Sequence, residues 1–116
     1  QGDRPTARSY YENAIELDST YAASYINLAA LILDEEPEIV EKMNALGNSR
    51  VDNIKYEQFK KEREALFLEA VPFLEKLNEI DPTNIEALTT LKNIFGTIGD
   101  AAKFKMMKAK LEELGQ

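Results

Sequence analysis

The sequence predicts an all-α protein, and three observations lead to that fold class. Apolar residues recur at three- and four-residue steps from Leu66 to Ile80, the spacing of one face of an amphipathic helix. Only five glycines and four prolines occur in 116 residues, far fewer turn residues than a β-sandwich needs. The polar breaks between apolar stretches consist of residues that end one helix and cap the next. We therefore expect about five helices in a single domain of residues 1–116.

The first predicted helix runs from Pro5 or Thr6 to about Leu17, and the second begins near Tyr21 or Ala22. The polar run DST separates them. Because the chain opens without a methionine, we expect it to be the C-terminal part of a longer protein.

A second break, Asp81-Pro82-Thr83-Asn84, follows the Leu66–Ile80 stripe. Proline pushes the residue before it out of the α region and has no N–H to donate. Thr83 or Asn84 is therefore predicted to cap the next helix. The last helix follows the turn at residues 96–100, where Asp100 is the predicted N-cap.

The two breaks belong to an internal repeat. The stretch YYENAIELDSTYAASYINLAALI aligns with FLEKLNEIDPTNIEALTTLKNIF. The alignment places Asp18 on Asp81, and the apolar positions on either side of the two aspartates also coincide. Self-similarity of this kind indicates stacked helix–turn–helix units.

These units resemble the tetratricopeptide repeat (TPR) family, whose repeat of about 34 residues carries large and small apolar positions on two helices. The positions that carry the resemblance are Tyr11, Ala14, Asp18, Tyr25, Leu28, Ala29, Ile32, Ala70, Leu74, Leu77, Asp81, Pro82, Leu88, Leu91 and Phe95. Four residues depart from the residue types of the pattern: Ser19 replaces a proline, Ala29 and Lys92 replace a glycine, and Leu88 replaces an aromatic residue. The resemblance implies antiparallel hairpins in a right-handed superhelix. Residues 5–18 would be a partial first repeat, 22–80 an extended repeat and 84–115 a terminal capping repeat.

An elongated middle hairpin explains the spacing of the two aspartates. They are 63 residues apart, which leaves about 29 more than one repeat, or roughly 20 Å of extra length on each helix. We place the tip near residues 48–50, with Gly47 in the left-handed conformation that ends a helix. In this register Leu46 faces Asn53, and Ala29 faces Ala70.

Two prolines lie inside the predicted hairpin. Pro37 is either a first-turn residue of a new helix or a kink in one long helix, and we favour the continuous helix. Pro72 lies within the Leu66–Ile80 stripe, so we expect a continuous helix that bends near residues 68–72.

Composition excludes several classes of function. The chain has no cysteine and no histidine, the commonest nucleophile, general base and metal ligands. No Gly-rich phosphate loop occurs, so we predict no catalysis, no cofactor and no metal, and we interpret the acidic run at 34–38 as a solvated turn. A net charge of −7 disfavours nucleic acid, and no apolar run is long enough for membrane insertion. A neutral or basic protein or peptide is the expected partner.

The resemblance implies that a partner lies in the concave groove lined by the first helix of each repeat. The inward positions are Ala23, Ile26, Asn27, Ala30, Leu33, Asp34, Glu86, Thr89, Thr90, Asn93 and Thr97. Asn27 matches an asparagine that holds a peptide carboxylate in some relatives, but such a clamp also needs lysine or arginine. Glu86 and Thr90 occupy those positions, so we expect no carboxylate clamp.

The alternative function is a structural spacer or self-association unit that ends a longer array. The first helix lacks a preceding partner helix, so we expect self-association through residues 7–17, with Tyr10, Tyr11 and Ile15 on the uncovered side. A homodimer is the expected product. Repeats of this kind occur in the cytosol and in the cell envelope alike, so the resemblance does not select a compartment.

Overall fold

The computed structural model describes residues 4–116, and every regular element in that range is an α-helix. The helices are α1 (Arg4–Leu17), α2 (Ala22–Leu33), α3 (Glu36–Asn44), α4 (Arg50–Ile80), α5 (Ile85–Ile98) and α6 (Ala101–Glu113). Only two residues separate α2 from α3. The predicted all-α class is confirmed.

The helix α4 is the centre of the fold. Both α2 and α3 pack along it, α5 packs on it in turn, and the outer helices α1 and α6 pack on α2 and α5. The main core cluster consists of Leu28, Ala29, Ile32, Phe67, Ala70, Val71, Leu74, Leu88, Leu91, Ile94, Phe95, Met107 and Leu111. The apolar stripes of α2, α4, α5 and α6 thus meet in one interior.

The molecule is flat rather than spherical. Its radius of gyration is 16.0 Å, whereas a compact domain of 100 residues has about 13 Å. The shortest of its three dimensions, 48 × 37 × 17 Å, leaves room for about two layers of helices spaced 8–10 Å apart. A flat arrangement leaves long helix faces open to solvent.

The two aligned breaks have the same hydrogen bonds. Asp18 Oδ1 accepts from the backbone N–H and hydroxyl of Thr20 at 3.0 and 2.7 Å. Asp81 Oδ1 accepts from the same two groups of Thr83 at 3.3 and 2.9 Å. The bonds from Thr20 lower the pKa of Asp18, because they stabilise the ionised carboxylate. The internal repeat is therefore present in the local structure as well as in the sequence.

Side-chain caps begin the later helices at the expected residues. Asn84 accepts from the backbone N–H of Ala87 at 2.9 Å, and Asp100 accepts from that of Lys103 at 3.1 Å. Both predicted caps are confirmed, with Asn84 rather than Thr83 in the capping position.

The elongated hairpin is formed by α3 and the first half of α4. None of residues 36–66 is buried, so this segment, which we call the arm, extends beyond the core. Glu36 pairs with Arg63 across it, and the ammonium of Lys42 lies 6.0 Å from the ring centroid of Phe59. The register that pairs Glu36 with Arg63 is the predicted one, in which Ala29 faces Ala70.

Pro37 starts a new helix, so the favoured prediction of one continuous helix is wrong. It lies in the first turn of α3, although Asp34 and Glu35 before it keep right-handed helical backbone angles. Without an N–H, Pro37 gives no hydrogen bond to the carbonyl of Leu33, where α2 ends. Pro72 lies inside α4, which continues through it as predicted.

The prediction of a left-handed Gly47 is also wrong. In residues 4–116 only Gly99 and Gly115 have positive φ, both 83°. At Gly47 a Cβ atom would lie 3.0 Å from Oδ2 of Asp52. That carboxylate belongs to the capping box with Ser49 that begins α4. Glycine is therefore favoured at this position by a close approach rather than by its backbone angles.

Gly99→Ala is expected to lower the free energy of unfolding by about 1 kcal/mol. The C-cap of α5 requires positive φ, and a Cβ there would meet no atom within 4 Å, so the cost comes from backbone strain alone. Urea denaturation followed by circular dichroism measures it. Gly115→Ala is the matched control, because the same φ occurs just after the last turn of α6, where fraying of the helix end relieves strain. Equal losses in the two variants would contradict this explanation.

Candidate functional site

A hollow opens between α2 and α5, with α4 behind it. It is lined by Ile26, Ala29, Ala30, Leu33, Leu74, Leu77, Asn84, Glu86, Ala87 and Thr90, and its volume is about 120 Å³. A closed apolar cavity of about 150 Å³ accepts benzene, so this open hollow is large enough for one aliphatic side chain.

Helical spacing explains how the sequence builds this hollow. Ile26, Ala30 and Leu33 follow one another by four and three residues on α2, as Glu86 and Thr90 do on α5. Their side chains therefore share one face of each helix. Alanines leave the space open, and Ile26 remains 40% exposed beside it.

A second hollow continues the first toward the arm. It is lined by Leu33, Glu36, Arg63, Phe67, Thr90, Asn93, Ile94 and Thr97, with a volume of about 240 Å³. Leu33 and Thr90 line both hollows. The two hollows therefore adjoin along α2 and α5, and together we call them the groove.

The first hollow carries a single charged residue. Glu86 lies in the first turn of α5 with an exposed side chain, and every other residue that lines the hollow is apolar or neutral. This end of the groove combines an apolar floor with one negative charge.

The second hollow carries an ion pair held in a defined orientation. Nε of Arg63 donates to Oε2 of Glu36 at 2.8 Å, and Nη2 of Arg63 lies 2.8 Å from the same oxygen. The guanidinium carbon of Arg63 also lies 5.3 Å from the ring centroid of Phe67. The side chains of Arg63 and Glu36 are 29% and 23% exposed, so this pair is screened less than a surface pair.

The structure brings together seven of the predicted inward residues. Those that line the groove are Ile26, Ala30, Leu33, Glu86, Thr90, Asn93 and Thr97. Ala23, Asn27, Thr89 and Asp34 line neither hollow. The carboxylate of Asp34 instead accepts from Arg4 of α1 at 2.6 Å, so it takes part in the contact between α1 and α2.

Sequence reasoning missed the contribution of α4 and of the arm to the groove. Leu74, Leu77, Phe67 and Arg63 all belong to α4, and Glu36 begins α3. The predicted hairpin register contained a usable signal, since it places Glu36 opposite Arg63. Two opposite charges facing each other at the root of an elongated hairpin point to a site there.

The helix α1 is held by two arginines. Arg4 binds Asp34, and Arg8 donates to Glu12 and to Glu69 of α4. These hydrogen bonds raise the pKa of both guanidinium groups. They attach α1 to α2 and to α4.

The predicted self-association residues do not share one open face. Tyr11 and Ile15 are half-buried and pack against the main core cluster, so their placement on the uncovered side is corrected. Tyr10 is 70% exposed, and Leu17 at the end of α1 is 89% exposed. Tyr10 and Leu17 are thus the large apolar residues that α1 presents to solvent.

Residues 4–116 contain neither a candidate metal site nor a candidate membrane span. No group of three acidic side chains there is arranged to hold a metal ion. None of the helices in residues 4–116 combines the length and apolar character needed to cross a membrane.

Among known proteins, no family model and no curated sequence matches the chain.

Proposed function

We propose that the chain is a non-enzymatic scaffold that holds a protein or peptide partner in the groove between α2 and α5. The observation that carries the proposal is the groove itself, in which an apolar hollow with Ile26 left 40% exposed beside it adjoins a second hollow that carries an ion pair. The resemblance to TPR proteins favours the same function, since that resemblance implies a peptide in this position.

The dimensions of the groove suit an extended segment. Its α5 side runs from Glu86 to Thr97, about 16 Å at 1.5 Å per helical residue. About five residues of extended chain, at roughly 3.3 Å each, cover that length. Burial of apolar side chains on a preformed surface would supply most of the affinity, and the acidic residues would orient a neutral or basic partner.

The arm offers a second surface to the same partner. Val51 and Ile54 are 59% and 53% exposed near the beginning of α4, and Tyr56 is 43% exposed. Packing of the remaining helices does not require these side chains. A folded partner bound in the groove would therefore find apolar contacts along the arm as well.

Blocking the groove tests the proposal. A random peptide display library is selected for binding to the whole chain. The selected peptides are labelled, and their affinity for the chain is measured by fluorescence anisotropy. Ala30→Trp fills the first hollow and is expected to weaken binding at least tenfold. Ala109→Trp, on an exposed position of α6, is the matched control and should leave affinity unchanged. Selected peptides that bind both variants equally well would contradict binding in the groove.

A structural role as a spacer or self-association unit is the second candidate. The observation that favours it is the exposure of Tyr10 and Leu17 on α1. Sedimentation velocity distinguishes the two functions. Dimers that form with rising concentration and without any peptide favour the structural role, while a monomer that binds selected peptides favours the scaffold.

A further inference from the structure

We infer that the groove selects an internal segment with a lysine or arginine beside an aliphatic residue and an asparagine or glutamine three residues beyond the aliphatic one. This inference rests on the proposed peptide-binding function and specifies the partner's chemistry. In one chain direction the segment has the form [K/R]-aliphatic-x-x-[N/Q], and in the other the order is reversed.

The first hollow determines the aliphatic and basic positions. Its floor of Ala29, Leu74, Leu77 and Ala87 is buried and apolar, so it favours a side chain without polar atoms. The carboxylate of Glu86 lies beside this floor and makes no ion pair with any residue of 4–116. A lysine or arginine beside the aliphatic residue supplies the missing partner.

The second hollow determines the carboxamide position. Arg63 uses Nε and Nη2 on a single oxygen of Glu36, which leaves Nη1 of Arg63 and Oε1 of Glu36 for other partners. The pair therefore keeps a donor and an acceptor for a bound segment in the second hollow. The side-chain amide of asparagine or glutamine carries the complementary acceptor and donor. Because Phe67 and Glu36 already hold Arg63 in place, little side-chain freedom is lost on binding.

The distance between the hollows sets the spacing. Along α5 the first hollow is centred near Ala87 and the second near Ile94, about 10 Å apart at 1.5 Å per residue. A chain in the polyproline II conformation rises about 3.1 Å per residue and returns to the same face every third residue. Residues three apart thus point into the two hollows from one side. Glu86 lies on the far side of the first hollow, which places the basic residue away from the carboxamide.

The same charges disfavour a terminal carboxylate. Among the described residues Glu86 alone brings a charge to the first hollow, and in the second hollow Arg63 is already neutralised by Glu36. A like charge placed beside Glu86 is repelled, so the groove discriminates against acidic peptide ends.

Selection with a defined probe tests the inference. The probe is a phage library of random dodecapeptides flanked on both sides by Gly-Ser linkers, selected on the whole chain. We expect basic, aliphatic and carboxamide residues to be enriched in the stated order. On synthetic peptides, Glu86→Gln should remove the preference for lysine over norleucine and weaken binding by roughly fivefold. Glu75→Gln, an exposed position on α4 outside the groove, is the control and should change nothing.

The proposed contact between the Glu36–Arg63 ion pair and the peptide's carboxamide is tested by combining a variant of the protein with a variant of the peptide. Replacing the peptide's asparagine by alanine should weaken binding to the unaltered chain about tenfold, and should change nothing in Glu36→Leu/Arg63→Met. Circular dichroism tests whether this double variant is folded. The comparison of Glu86→Gln with Glu75→Gln does not depend on the folding of the double variant. Peptides that Ala30→Trp excludes but that lack these preferences would overturn the inference and leave the proposed function standing. A selection without any groove-dependent peptide would overturn both.

Discussion

Leu91→Ala is expected to lower the free energy of unfolding by about 3 kcal/mol. Leu91 is completely buried in the middle of α5 and belongs to the main core cluster shared by α2, α4, α5 and α6. The shorter side chain loses its transfer free energy and leaves a cavity that neighbouring helices fill only in part. Since domains are stable by about 5–15 kcal/mol, this loss is large enough to move the urea midpoint clearly.

Leu68→Ala is the matched control for this substitution. Leu68 lies on α4 with 57% of its surface exposed, so truncation removes little buried area. We expect a change within about 0.5 kcal/mol, measured in the same urea titration. Comparable losses at Leu68 and Leu91 would mean that α5 does not lie at the centre of the core.

Ala70→Leu is expected to destabilise the fold by about 1–3 kcal/mol through overpacking. Ala70 has no exposed surface and Ala29 is 2% exposed, and both belong to the main core cluster between α2 and α4. Small side chains at this position let the two helices approach closely, and a leucine forces them apart. Thermal and urea unfolding followed by circular dichroism measure the loss.

Ala65→Leu tests whether the effect comes from this contact. Ala65 lies on the same helix but is exposed, and leucine is nearly as good a helix former as alanine. The control should unfold within about 0.5 kcal/mol of the unaltered chain. A harmless Ala70→Leu would show that α2 and α4 are not in close contact there, contrary to the hairpin register.

The helix boundaries could be predicted because local chemistry determines them. Asn84 and Asp100 accept hydrogen bonds from N–H groups only three residues away, so their effect is contained in a few letters of sequence. The register of the long hairpin followed from the spacing of Asp18 and Asp81 together with one turn. Pro37 could not be resolved in the same way, since the missing N–H is compatible with a kink or with a new first turn.

Helical periodicity in the sequence predicted only the walls of the groove that α2 and α5 form. Ile26, Ala30 and Thr90 fall on inward faces because α2 and α5 are regular, whereas Arg63 reaches the groove through the crossing of α4. The pairing of Asp34 with Arg4 depends equally on how two helices pack. The contact between Asp34 and Arg4 is set by tertiary geometry, and no apolar pattern in the sequence indicates it.

The lack of buried residues in the arm has a consequence for its motions. Backbone hydrogen bonds supported by few apolar contacts open with less free energy than those of a packed interior. Amide hydrogens of α3 and of the first half of α4 should therefore exchange with deuterium well before those of α5, without global unfolding. Glu36 and Arg63 join α3 to α4 at the base of this segment, where they also line the groove. A ligand that engages them is expected to slow exchange at the base of the arm, whereas the tip would still open locally.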